Sequence, residues 1–215
     1  MIKAVLFDLD GTLADTAPDL ARALNTLRAV RGMPPLPLDA TRPFTSRGAR
    51  GLIGVGFGIG PNDKAYDTLR DEFLRLYEAN LCNETTLFPG MNDVLATLER
   101  HRMPWGVVTN KVERFTLPLL DALKLGTRTS CVIGGDTTPY SKPHPAPLLE
   151  ASRQIGVEPQ LCVYVGDDRR DIEAGRAAGM KAAVAEWGYL NGNDQDTWAA
   201  DWILARPEAL LDVIM

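Results

Sequence analysis

At 215 residues, with 45% apolar and 24% charged side chains, the chain has the composition of an ordinary soluble globular protein with one substantial core and room for a smaller appended domain. A formal net charge of −5 lacks the basic footprint that nucleic acid or anionic lipid requires, so neither is an expected partner. Cys82, Cys131 and Cys162 form no CxxC pair, the N-terminal apolar run is too short for a leader, and no run of eighteen apolar residues occurs, so a cytoplasmic, reducing setting is expected.

The first element is a short apolar run, Ala4 to Phe7, which reads as a buried strand and leads straight into Asp8-Leu9-Asp10-Gly11-Thr12. From about Thr16 to Leu87 there is no convincing strand. Leu20, Leu24 and Leu27 share one helical face, and Tyr66, Leu69, Phe73, Leu76 and Tyr77 share another. A helical insert directly after the first strand is expected to be a separate cap domain, residues 16–87, with proline-bearing hinges at Asp15–Pro18 and Phe88-Pro89-Gly90. The plainer alternative is that these helices cover one sheet face. Gly54, Gly56, Gly58 and Gly60 alternate within the insert, but without the strand-then-helix setting of a phosphate-binding loop. Residues 1–15 and 88–215 then form the core. There, strands at Gly106 to Val108, Cys131 to Ile133, Leu161 to Val165 and Ala182 to Ala185 alternate with helical patterns such as Val94, Leu95, Leu98 and Phe115, Leu119, Leu120, Leu123. That alternation predicts an α/β fold with a parallel sheet covered on both faces.

The residues at the strand ends carry the chemistry. Asp8 and Asp10 come directly after the first strand, Thr109-Asn110-Lys111 after the second, and Gly166-Asp167-Asp168-Arg169-Arg170-Asp171 after the fourth. In a parallel α/β sheet, ligands bind outside the carboxyl ends of strands, so these clusters are expected to converge, with Lys142 reaching the same edge from a loop. Asp8, Asp10, Asp167, Asp168 and Asp171 would then crowd one pocket. Two like charges ~4 Å apart repel by about 4 kcal/mol at an effective dielectric of 20, and one lysine cannot offset five acids. A hard divalent cation can, and all-oxygen ligation suits Mg²⁺. Asp8 and Asp10, two apart on an extended strand end, would face one phosphorus, one as nucleophile and one as proton donor. Thr109 is placed to donate to a phosphoryl oxygen and Lys142 to neutralise Asp8 and the phosphate. Each residue alone reads more simply as a helix cap or a solvated surface group. Their joint order, each after a buried strand, favours a phosphohydrolase acting on a small phosphorylated metabolite.

These residues resemble the haloacid-dehalogenase superfamily of phosphatases. Asp8-Leu9-Asp10-Gly11-Thr12-Leu13 looks like its first motif, Thr109-Asn110-Lys111 its second, Lys142 its third and Gly166-Asp167-Asp168-x-x-Asp171 its fourth. The resemblance implies a Rossmann-like core with an inserted helical C1 cap, and Mg²⁺ held by the Asp8 carboxylate, the Asp10 backbone carbonyl and Asp167. It also implies Asp168 and Asp171 as supporting acids around that set, and Thr109, Asn110 and Lys142 at the phosphate. Asp15-Thr16-Ala17-Pro18-Asp19-Leu20, Phe88-Pro89-Gly90-Met91 and Trp187-Gly188-Tyr189 resemble the phosphoglycolate phosphatase group. The cap turn Ser46-Arg47-Gly48-Ala49-Arg50 departs from that group's Gly-x-Gly and is similar to N-acetylmuramic acid 6-phosphate phosphatases. Both substrates carry a carboxylate, which Arg47 or Arg50 is placed to pair with; otherwise these arginines are a solvated helix start.

Rival activities of the fold lack their residues. A phosphomutase calls for a cap histidine, whereas His101 and His144 lie outside the cap, and a phosphonate hydrolase needs a cap lysine, where only Lys64 stands. A non-catalytic phosphate-sensing protein would be expected to lose one of Asp8, Asp10, Lys142 or Asp167, and all four are present. A monomer or homodimer is expected.

Overall fold

The structure is a computed structural model describing residues 1–190, 192 and 194–215. Its centre is a parallel sheet built from β1 (Ala4–Phe7), β4 (Trp105–Val108), β5 (Val132–Ile133), β6 (Cys162–Gly166), β7 (Lys181–Ala185) and β8 (Trp202–Leu204), in the order β5-β4-β1-β6-β7-β8. The central position of β1 accounts for its unbroken apolar run. Val5 and Phe7 point to one face, where they meet Val94, Leu95 and Leu98 of α5 (Met91–Arg100), Leu119 and Leu120 of α6 (Glu113–Ala122) and Leu210 of α9 (Ala209–Ile214). Ala4 and Leu6 point to the other, against Leu148 of α7 (Ala146–Ile155) and Ala174 of α8 (Arg169–Ala177). With both faces covered, every β1 side chain is fully buried.

β2 (Ala14–Asp15) pairs antiparallel with β3 (Thr86–Leu87), bringing the two ends of the intervening segment side by side. Between them lie α1 (Ala17–Val30), α2 (Leu38–Thr41), a 3₁₀ turn Arg42–Arg47, α3 (Gly48–Phe57) and α4 (Tyr66–Glu78). These helices have their own apolar cluster, in which Leu24, Leu27, Leu52, Ile53 and Phe73 are buried. Each such side chain contributes about 1.5–3 kcal/mol relative to exposure. Gly56 permits the close approach of α3 to α1, since a Cβ there would run into Leu24. Phe115 of α6 joins the same cluster from the sheet side.

The sequence pattern shows β1, β4, β5, β6 and β7 but not the two-residue strands β2 and β3, too short to carry a pattern and the second lying at the end of a stretch expected to hold no strand, nor β8. That strand has three residues, with Ile203 exposed at the sheet edge, so it carries neither a long apolar run nor a clean alternation.

Candidate active site

Asp8 leaves β1 at the carboxyl edge of the sheet, its N–H donating to the Val165 carbonyl at 2.9 Å. Its carboxylate accepts from the Leu9 N–H at 2.7 Å and pairs with the Lys142 ammonium at 3.0 Å. The chain then turns instead of extending: the Gly11 N–H donates to the Ala14 carbonyl, with Gly11 at φ +84°. A Cβ at Gly11 would collide with Asp167 and Tyr189, so glycine suits both the turn and the packing. Asp10 is therefore displayed by a turn and not by the alternation of an extended strand. Its two oxygens take the Lys111 ammonium at 2.8 and 2.9 Å, and one also accepts from the Thr16 hydroxyl at 2.6 Å. Asp8 and Asp10 nonetheless line the same cavity.

β4 leads into Thr109, which is buried and whose hydroxyl accepts from the Lys111 N–H at 3.2 Å, leaving its own proton available. Asn110 spends both ends of its amide on the backbone of Lys142, donating to its carbonyl and accepting from its N–H, each at 3.0 Å. It thus fixes the loop that delivers Lys142, while itself lining the cavity. The Lys142 ammonium bonds Asp171 and the Tyr164 hydroxyl, each at 2.7 Å, besides pairing with Asp8.

β6 runs into Asp167, which is buried and accepts from the Thr12 hydroxyl at 2.9 Å and from the Ser46 hydroxyl and Tyr189 N–H at 3.0 Å. Asp168 caps α8, accepting from the Arg170 N–H at 2.9 Å and pairing with its guanidinium at 2.7 Å. Asp171 completes a capping box by accepting from the Asp168 N–H at 3.0 Å, and this turns its other oxygen towards Lys142.

Asp8, Asp167 and Asp171 bring carboxylate oxygens within 4.8 Å of one another, all three residues buried. Burial, with help from Asp171 and Asp10 and against the pull of Lys142, pushes the Asp8 carboxyl up to about 6. Burial, with Asp8 and Asp171 nearby, raises Asp167 well above the usual carboxylate range. Burial disfavours the Lys142 charge, yet Asp171 and Asp8 overcome it and raise its pKa, so this lysine stays protonated. One cation among three close acids leaves negative charge uncompensated. An all-oxygen donor set of this kind fits a hard divalent cation. Asp171 stands beside Asp8 and Asp167 with one oxygen on Lys142 and the other on the Asp168 N–H.

Above the acids lies a cavity of about 570 Å³. Its sheet side carries Asp8, Asp10, Thr109, Lys111 and Lys142; its helical side carries Leu20, Ser46, Arg47, Phe73, Leu74 and Tyr77. Arg47 is exposed, with its guanidinium over the Phe44 ring, and reaches the cavity lining. Arg50 is exposed on α3 and is not among the lining residues. The helical segment is tied to the acids by the Ser46 hydroxyl on Asp167 and the Thr16 hydroxyl on Asp10, and the Arg170 guanidinium donates to the Ser46 carbonyl at 2.7 Å. The Tyr189 hydroxyl holds the entry to the segment, donating to Asp15 at 2.7 Å and accepting from the Ala17 N–H at 2.9 Å. Lys111, Ser46 and Arg170 all stand within motifs visible in the sequence, but nothing in spacing alone assigns them these partners.

An α/β sheet with acids and lysines gathered at its carboxyl edge, beneath a helical insert, defines a hydrolase of the phosphoryl-handling class. The model of the haloacid dehalogenase-like hydrolases matches residues 5–185, and the chain belongs to that family. It is similar to a phosphoglycolate phosphatase from Xanthomonas campestris pv. campestris (strain 8004), 45% identical over 97% of this chain and 94% of the relative. It is likewise similar to an N-acetylmuramic acid 6-phosphate phosphatase from Pseudomonas aeruginosa, 40% identical over 99% of this chain and 95% of the relative. Among solved structures, a predicted phosphoglycolate phosphatase from Haemophilus somnus 129PT superimposes with a TM-score of 0.87 at 28% identity, covering 100% of this chain and 98% of that one. The chain is an enzyme, a phosphatase of this family. No helix among the described residues is long and apolar enough to cross a membrane.

Proposed function

We propose that the protein is a Mg²⁺-dependent phosphatase that cleaves the phosphomonoester of a small carboxylate-bearing metabolite through a phospho-aspartate at Asp8. The observation that carries this is the Asp8 carboxylate at the sheet edge, paired with Lys142 at 3.0 Å and within 4.8 Å of Asp167 and Asp171. Asp8 and Asp167 would hold the cation together with the Asp10 carbonyl, the set implied by family resemblance, while Asp171, whose oxygens take Lys142 and the Asp168 N–H, would support that set from outside. When bound, Mg²⁺ supplies charge that draws the Asp8 carboxyl into its ionised form and offsets the negative charge of phosphate.

Asp8 attacks phosphorus, and the bond to the leaving oxygen breaks as the bond to the carboxylate forms. Asp10 gives a proton to the leaving alcohol and later takes one from the water that hydrolyses the acyl phosphate. Lys111, held on Asp10 by both oxygens, fixes that carboxyl in place. The Thr109 hydroxyl and the Lys142 ammonium receive the phosphoryl oxygens, a task of positioning and charge stabilisation. Residues 16–87 act as a cap that closes over the core formed by 1–15 and 88–215 and excludes water. The Ser46 hydroxyl on Asp167 supports that division, since it makes cap position felt at the acids.

For the substrate we favour N-acetylmuramic acid 6-phosphate over 2-phosphoglycolate. The Ser46–Arg50 turn resembles phosphatases of the former, and Leu20, Phe73, Leu74 and Phe115 give the cavity an apolar wall that a two-carbon acid leaves uncovered. Arg47 is the arginine we assign to the carboxylate. The enzyme acts in the cytoplasm, as a monomer or homodimer. Asp8→Asn tests the core of this reading: it should abolish turnover of every phosphomonoester while the protein stays folded, and beryllofluoride should bind the native protein only with Mg²⁺. Steady-state turnover in pure Asp8→Asn rules out the covalent route.

A further inference from the structure

We propose that Tyr77 is a specificity-determining residue whose hydroxyl donates a hydrogen bond to an acceptor on the leaving alcohol, set back from the ester oxygen. The substrate class this selects is phosphomonoesters of bulky, partly apolar alcohols that carry such an acceptor. The inference rests on the phosphatase reading above.

Tyr77 sits in the last turns of α4, is 1% exposed, and lines the cavity beside Lys111 and Asp10. Its hydroxyl is buried with no hydrogen-bond partner among the described residues. Such groups are rare in native proteins, because an unpaired buried donor forfeits its hydration without compensation. Its nearest polar neighbour, the Lys111 ammonium, has only protons to give, so it can approach the phenol oxygen as a donor but cannot take the phenol proton. The Lys111 ammonium lies over the face of the Tyr77 ring, 4.9 Å from its centroid, and directs its bonds to the two oxygens of Asp10. Phe115 packs edge-on against the ring at 5.7 Å, which fixes its plane. Burial pushes the phenol up to about 12, so at neutral pH it offers a proton.

The surroundings describe the rest of the ligand. Leu20, Phe73, Leu74 and Phe115 make the neighbouring wall apolar, so a substrate reaching Tyr77 must present apolar surface around its acceptor. Lys111 bridges Asp10 and the Tyr77 ring, which sets the subsite just beyond the residue proposed to protonate the ester oxygen. A polar hydroxyl stranded in an apolar wall discriminates strongly, because a ligand without the acceptor leaves it unpaired.

Tyr77→Phe removes the hydroxyl and keeps the ring. The test compares kcat/KM for N-acetylmuramic acid 6-phosphate with that for phenyl phosphate, whose leaving group is apolar and has no acceptor beyond the ester oxygen. The ratio of the two should fall about five- to tenfold in Tyr77→Phe, the loss expected for one hydrogen bond. In an Asp8→Asn background, calorimetry should show the Kd for N-acetylmuramic acid 6-phosphate rising by a similar factor when Tyr77→Phe is added. Because the free protein loses no hydrogen bond, the melting temperature should stay the same or rise. A ratio unchanged within twofold, an equal loss on both substrates, or a melting temperature several degrees lower overturns the assignment. Phenyl phosphate turnover by the wild-type enzyme reports on the phosphatase reading separately, so a flat ratio in an active enzyme counts against Tyr77 alone.

Discussion

Removing the charge of Asp8 should stabilise the metal-free protein at neutral pH, and by an amount that depends on pH in a defined way. The folded protein holds the Asp8 proton up to about pH 6, whereas an unfolded chain releases it near the ordinary value of 3.8. The folded state therefore binds more protons over that interval, and its stability falls as pH rises through it. A separation of roughly two pH units corresponds to about 3 kcal/mol at pH 7, and to little below pH 4. Asp8→Asn has no such proton to lose, while Lys142 keeps Asp171 and Tyr164 as partners. In the presence of a chelator, Asp8→Asn should thus match the wild type near pH 4 and exceed it by about 3 kcal/mol at pH 7, roughly 6–12 °C in melting temperature for a chain of this size. Mg²⁺ should then close the gap by raising the wild type, about 2.7 kcal/mol at a hundredfold excess over its Kd. Differential scanning calorimetry from pH 4 to 7.5, with and without Mg²⁺, measures both effects. A gap independent of pH, or a variant less stable than wild type at pH 7, refutes the assignment of uncompensated charge to Asp8.

Two further substitutions separate the proposed roles. Asp10→Asn should slow phosphoenzyme formation from an alkyl phosphate by ~10²–10⁴ and from an activated aryl phosphate by less, since the latter needs little protonation of its leaving group; equal losses in burst kinetics would show that Asp10 is not the acid. Arg47→Ala should lower kcat/KM for a carboxylate-bearing substrate by an amount equivalent to about 1 kcal/mol, the scale of an ion pair on an exposed arginine, with a much smaller loss on a phosphate that lacks a carboxylate.

Apart from Lys142, which a loop delivers, the site residues that can be read in the sequence share one property: each stands just after an apolar run that must be a central strand. Asp8 succeeds Ala4–Phe7, Thr109 succeeds Trp105–Val108 and Asp167 succeeds Cys162–Gly166, and the parallel topology brings all three to one edge whatever the loops do. Pairings decided by loop conformation are not readable in this way. The alternation expected of Asp8-Leu9-Asp10 presumes an extended chain, but the turn at Gly11 ends it and Lys111 takes up Asp10 instead. Asp168 and Asp171, equivalent acids in the sequence, are parted by the capping box. One is committed to Arg170 at the mouth, and the other is folded back against Asp8 and Asp167. The motif around Asn110 does not show that its amide also braces the Lys142 backbone, a pairing that only the loop conformation decides.

Helical periodicity has a different limit, and Tyr77 shows it. Spacing assigns Tyr66, Leu69, Phe73 and Tyr77 to one face of α4 and marks that face as buried. It does not say what the face is buried against. For Leu69 the answer is the apolar cluster of the insert, and a methyl group asks for nothing more. For Tyr77, which ends the stripe over the cavity, the same burial isolates a hydroxyl with no hydrogen-bond partner among the described residues. An apolar stripe can thus carry a recognition group at one end without any break in its pattern. Only the partners of its last polar atom distinguish a core tyrosine from one that reads a substrate.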